Sequence, residues 1–150
     1  MSIDDDVALF ERVPTLDLLG NAALRMVAIG SEQRSFARGD VLFRRGDDAD
    51  AGFVVQRGAF RVEDGTGAEM IAISGMLIGE LALVVPNKRS STATALEQST
   101  VIRITRSLFH RVLESDPAAA RRLRDEFADR SNRITDDIKT AGAKLNTLTR

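Results

Sequence analysis

Between Arg34 and Thr105, glycines recur at positions 39, 46, 52, 58, 65, 67, 75 and 79, and the apolar runs between them are brief or alternating. Glycine tolerates the backbone of tight turns, so this punctuation predicts short strands joined by turns, as in a jelly-roll β-barrel. Ala59-Phe60-Arg61-Val62-Glu63 alternates, Asp64-Gly65-Thr66-Gly67 carries turn chemistry, and Met70-Ile71-Ala72-Ile73 resumes the strand pattern. A hairpin is expected there. Residues 92–104 are rich in β-branched side chains with a turn signal at Glu97-Gln98-Ser99, which predicts two closing strands.

The flanks follow a different period. From Asp6 to Ile29, apolar residues are interrupted by Pro14 and Gly20, giving short helices with a break. After Thr105, Leu108, Phe109, Val112 and Leu113 have helical spacing, capped by Thr105 or Ser107. Asp116-Pro117 ends that helix and opens another. Its stripe of Ala120, Leu123, Phe127, Ile134, Ile138, Ala141, Leu145 and Leu148 is amphipathic. At about 30 residues it would run roughly 45 Å, longer than a domain of this size is wide. Its distal half is therefore expected to pair with a second copy. The fold class is α+β, mainly β, in one domain over residues 1–150: N-terminal helices in 1–30, a β-roll in 31–106, and C-terminal helices in 107–150 that include the expected dimer element.

Charge narrows the function. The 21 basic and 22 acidic residues nearly cancel, leaving no global field to attract nucleic acid or an anionic membrane. With no cysteine and one histidine, thiolate catalysis, disulfides and cysteine-ligated zinc are excluded, and no metal site is expected. His110 is read as structural or exposed, and Asp47, Asp48 and Asp50 as a turn. The acidic start lacks the pattern of a signal peptide, so a cytoplasmic protein is expected.

Chemistry concentrates in Gly79-Glu80-Leu81-Ala82-Leu83 and Arg89-Ser90-Ser91-Thr92. Backbone N–H groups in a glycine-led turn can form an anion-binding concavity, and the planar guanidinium of Arg89 suits two oxygens of one phosphate. Glu80 should repel a phosphate, so its partner is expected to be a donor such as a sugar hydroxyl. Phosphate together with hydroxyl suggests a nucleotide.

These residues, with residues 36–50, Phe53-Val54-Val55 and Gly58 upstream, resemble the cyclic nucleotide-binding domains of catabolite activator proteins, kinase regulatory subunits and gated channels. Residues 78–92 match the phosphate-binding cassette, and the resemblance covers roughly residues 10–140. It implies that Arg89 pairs with the cyclic phosphate and Glu80 accepts from the ribose 2′-hydroxyl. Gly79, Leu81 and Ala82 would provide backbone, with the Ser91 backbone near the phosphate. Ser90 and Thr92 are either ligand donors or ordinary strand residues. By the same resemblance the purine falls near Ile134 and Thr135, with Arg130 one turn earlier as a stacking residue or a solvated charge. Thr135 could bond an adenine amino group, whereas Ile134 could only pack.

The expected function is a non-enzymatic sensor of cyclic AMP or cyclic GMP, needing no cofactor, that dimerises through its last helix and signals to an effector protein by rearrangement of its C-terminal helices, which the resemblance implies act as a lid over the base. The alternatives are the ligand-binding part of a catabolite-activator-type regulator, or an interaction scaffold that binds no nucleotide.

Overall fold

The computed structural model describes residues 2–129. The first helix, α1 (Ile3–Glu11), starts from a reciprocal cap in which Ser2 accepts from the Asp5 N–H and the Asp5 side chain accepts from the Ser2 N–H. Asp4, Asp5 and Asp6 place negative charge at its positive end. Val13 is extended because a proline follows it, and that breaks the chain before α2 (Pro14–Asp17), whose first residue is Pro14. Helix α3 (Gly20–Gly30) then leads into the sheets.

Ten strands follow: β1 (Glu32–Phe36), β2 (Val41–Phe43), β3 (Asp48–Ala49), β4 (Ala51–Arg57), β5 (Ala59–Glu63), β6 (Glu69–Ile73), β7 (Leu77–Ile78), β8 (Asn87–Lys88), β9 (Thr92–Ala95) and β10 (Ser99–Thr105). Hydrogen bonding orders them as β1-β10-β4-β7 in one sheet, β2-β9-β5-β6 in a second, and β3-β8 as a separate pair. All pairings are antiparallel. The fold is thus the expected mainly-β jelly roll with flanking helices, although the two four-stranded sheets remain separate ladders rather than one closed barrel. The expected hairpin is β5-β6, paired from Ala59 with Ile73 to Glu63 with Glu69. The two strands of residues 92–104 do not pair with each other, since β9 joins the second sheet and β10 the first. Gly52 departs from the turn pattern. It lies inside β4, where an added Cβ would come 3.2 Å from both Leu77 and Leu83, so its role is close packing.

Two cores share the first sheet. Because side chains alternate across a strand, Phe53 and Val55 of β4 and Val101 of β10 enter the core between the sheets, with Phe43, Phe60, Ala72 and Ile78. Val54, Ile102 and Ile104 point the other way, into a second core with Phe10, Leu16, Leu24, Val27, Leu108 and Phe109. Strands β4 and β10 are therefore buried on both faces, while the edge strand β1 is mostly exposed. This accounts for the unbroken apolar run Phe53-Val54-Val55.

Helix α4 (Arg106–Ser115) is capped by Thr105, whose hydroxyl accepts from the Leu108 N–H at 3.1 Å. A further helix, α5, begins at residue 117, after Asp116 accepts from the Ala119 N–H at 3.1 Å, and continues to the last described residue, 129. Arg122 ties α5 to the N-terminal helices by donating to the carbonyls of Leu18 and Leu19, each at 2.7 Å. At the other end of that helical layer, Arg12 donates to the hydroxyl and carbonyl of Ser74 in the β6-β7 turn. These bonds fix the helices to the sheets that carry the site.

Candidate functional site

Strand β7 is followed by Gly79, whose φ of 79° lies in the left-handed region that glycine adopts without a Cβ penalty. A Cβ there would also stand 2.5 Å from the Arg89 Nη1. Both constraints call for glycine. The chain then makes a 3-10 turn over Glu80–Leu83, passes through β8, and delivers Arg89 beneath it.

Arg89 is only 6% exposed, unusual for a guanidinium. Its Nη2 donates to the Ala51 carbonyl at 2.8 Å, and its Cζ lies 4.2 Å from the centre of the Phe43 ring and 5.5 Å from that of Phe53. A register shift between Val41 and Phe43 accompanies the placement of that ring. The Arg89 Nε is buried with no hydrogen-bond partner among the described residues. Burial pushes the pKa of the guanidinium down, while Asp50 and Asp47 push it up; arginine nonetheless stays cationic. A buried cation with an unmatched donor suits an anion brought in from solvent.

That cation borders a cavity of about 360 Å³, within the size range of small-molecule sites. The cavity brings together Gly79, Glu80, Leu81, Arg89, Ser90 and Ser91 of the expected set. Two expected members stand apart: Ala82 is buried, with its N–H donating to the Gly79 carbonyl at 3.2 Å, and the Thr92 hydroxyl accepts from the Arg45 N–H at 2.9 Å. Ala82 and Thr92 do not line the cavity. Arg130 and Thr135, named for the base, lie outside the described residues, as do Ile134 and the distal part of the apolar stripe.

Sequence reasoning missed part of the wall. Phe43, Leu77 and Ile78 contribute apolar surface, as do Val62 and Met70, which face each other across the β5-β6 hairpin. Alternation along β5 was the available signal for Val62, since it shares a face with the fully buried Phe60. Nothing local in the sequence marks Phe43 as the ring beneath Arg89. Lys88 also borders the cavity while paired with Asp48. The Glu80 carboxylate accepts from the Thr15 hydroxyl at 2.8 Å, so the helical layer reaches the site. A smaller adjoining cavity is lined by Glu80, Leu81, Val84 and Phe127, placing α5 beside the same turn.

Among the described residues, no helix is long and apolar enough to cross a membrane, and no cluster of three or more His, Asp or Glu side chains is placed to hold a metal ion.

Known proteins resemble this chain in sequence and in fold. The chain is 30% identical over 145 residues to lysophospholipase nte1 of Neurospora crassa, a match covering 93% of this chain and 9% of that protein. It therefore spans under a tenth of the length of such relatives. The N-terminal domain of a transcriptional regulator from Streptomyces coelicolor superposes with a TM-score of 0.78 at 27% identity, covering 87% of this chain and 94% of that one. A cyclic nucleotide-binding-like protein from Brucella abortus superposes with a TM-score of 0.66 at 31% identity, over 74% of this chain and 99% of that one. The profile described as cyclic nucleotide-binding domain matches residues 33–116, more than half the chain and all of the cavity-lining residues. With its glycine-led turn, buried arginine and nearly all of its facing sheets lying within the matched residues, the chain belongs to the cyclic nucleotide-binding domain family.

Proposed function

We propose that this domain senses a cyclic purine mononucleotide, cyclic AMP or cyclic GMP, binding it in the cavity without altering it. The observation that carries the reading is the buried Arg89 with its unpartnered Nε at the wall of a cavity that also contains Glu80. The cyclic phosphate would take the guanidinium and the backbone after Gly79, with Ser90 and Ser91 at the rim. The ribose 2′-hydroxyl would donate to Glu80, and the base would lie against the apolar pair Val62 and Met70. Such a site holds its ligand through charge-assisted bonds and apolar contact.

Phe127 beside Leu81 and Val84 supports a route for the output: a ligand that shifts the 3-10 turn also shifts the surface on which α5 packs. It acts by binding one arrangement more tightly than the other. The chain beyond residue 129 would complete the base site through Arg130 and Thr135, form a homodimer through its apolar stripe, and pass the signal to an effector protein. Light scattering is expected to give a mass of about twice 16.3 kDa for the full chain, and a 16.3 kDa particle at high concentration would contradict dimerisation. A second reading, the ligand-binding part of a larger regulator, is favoured by the likeness to the Streptomyces coelicolor regulator's N-terminal domain.

Thermal melting tests nucleotide binding. Ligand at 100 times its Kd stabilises the native state by about 2.7 kcal/mol, which for a domain of this size raises the midpoint by roughly 5–10 °C. Midpoints unmoved by millimolar cyclic AMP and cyclic GMP would instead favour the nucleotide-free scaffold.

A further inference from the structure

Buried polar side chains are few among the described residues: Thr15, Arg89 and Ser99. Ser99 is occupied with the backbone of Ala59 and Glu97, and Arg89 is the cation of the site. Thr15 is 4% exposed, and its hydroxyl proton goes to the Glu80 Oε1 at 2.8 Å, linking residues 65 positions apart. Its neighbours Val13 and Leu16 are packed in the helical core, so the hydroxyl is presented from an anchored backbone.

We propose that Thr15 is a positioning residue for the ligand's sugar. A glutamate side chain has several rotatable bonds, and an acceptor that must meet one hydroxyl gains from being held in place beforehand. A carboxylate has about four lone-pair sites, so one bond from Thr15 orients its plane without using up its capacity to accept. Discrimination between ribose and deoxyribose therefore depends on a threonine of the N-terminal helices as well as on the cassette. This inference rests on the nucleotide reading above.

The test compares the cyclic mononucleotide that the wild type binds more tightly with its 2′-deoxy counterpart. Both are titrated into wild type, Thr15→Val and Thr15→Ser, with folding checked by thermal melting. The wild type is expected to prefer the ribose form by about 10-fold or more, the scale of a hydrogen bond to a charged group. Thr15→Val, which replaces the hydroxyl by a methyl, should bring that ratio to within about threefold, and Thr15→Ser should restore it. Should Thr15→Val fail to fold, Thr15→Ala carries the same comparison. Equal losses for both ligands, leaving the ratio at its wild-type value, would mean a structural role and overturn the proposal, as would a wild type indifferent to the 2′-hydroxyl. A folded wild type that binds neither cyclic AMP nor cyclic GMP would overturn the nucleotide reading and this inference with it.

Discussion

Replacing Arg89 by alanine is expected to weaken cyclic nucleotide binding by roughly 30-fold to several thousand-fold, the equivalent of about 2–5 kcal/mol for truncating one partner of a buried charge pair. The size of the effect follows from burial. At 6% exposure the guanidinium has given up most of its hydration, and one of its donors has no protein partner to replace it. On the proposed reading a phosphate would supply that partner, and in the variant it would enter a largely apolar cavity with no buried cation behind it.

Arg89→Lys should recover only part of the loss, because an ammonium is a point charge that cannot present two parallel donors or lie flat on Phe43. Stability without ligand should move less than affinity. Loss of the contact with Phe43 is offset by removal of a buried charge that costs hydration. Calorimetry on both variants, with thermal melting as the fold control, separates the two effects; an alanine variant that binds like wild type would remove Arg89 from the site.

The largest effect on folding is expected from Phe60→Ala. Phe60 is fully buried between the sheets and meets the Phe36 ring edge-on, with centroids 5.9 Å apart. Its cross-strand partners in the second sheet are Ala72 and Ala95, so a large ring sits opposite small side chains and fills the space they leave. Neither alanine can expand into the gap. The substitution should cost about 3–5 kcal/mol, the range for deleting a buried aromatic side chain. For a domain of 150 residues that lowers the melting midpoint by roughly 6–20 °C. Urea unfolding provides the direct check, and a loss below about 1 kcal/mol would show that the inter-sheet core does not depend on this ring.

Local signals in the sequence carried the elements, while the contacts that define the site are mostly non-local. Alternation and turn residues marked the β5-β6 hairpin, and the Thr105 cap and the Asp116-Pro117 pair marked the C-terminal helices, because each signal lies within a few residues of the structure it specifies. Glu80 and Arg89 stood out because their chemistry is unusual at that spacing. Thr15 did not: its partner is 65 positions away, and a threonine after a proline reads as an ordinary start to a helix. Phe43 was equally silent, since stacking beneath a guanidinium leaves no periodic trace. Gly52 was misread because a glycine demanded by close packing looks the same in sequence as a glycine demanded by a turn. The pairing of β9 and β10 with different sheets depends on the topology of the whole roll, which the turn between them does not encode.

The arrangement has a functional consequence. Glu80 meets the N-terminal helices through Thr15 and borders the same small cavity as Phe127 of α5, so the carboxylate proposed to read the sugar lies between the two helical flanks. On the proposed reading, ligand capture and helix position would be linked through one turn of chain. Two discrete packings of that turn would be enough for a switch.

The most direct test is a calorimetric titration of the wild-type chain with cyclic AMP, cyclic GMP and a cyclic dinucleotide. The expected result is saturable binding of a cyclic mononucleotide at one per chain, tighter than any binding of the dinucleotide. A folded wild type that takes up neither mononucleotide, or prefers the dinucleotide, would contradict the account.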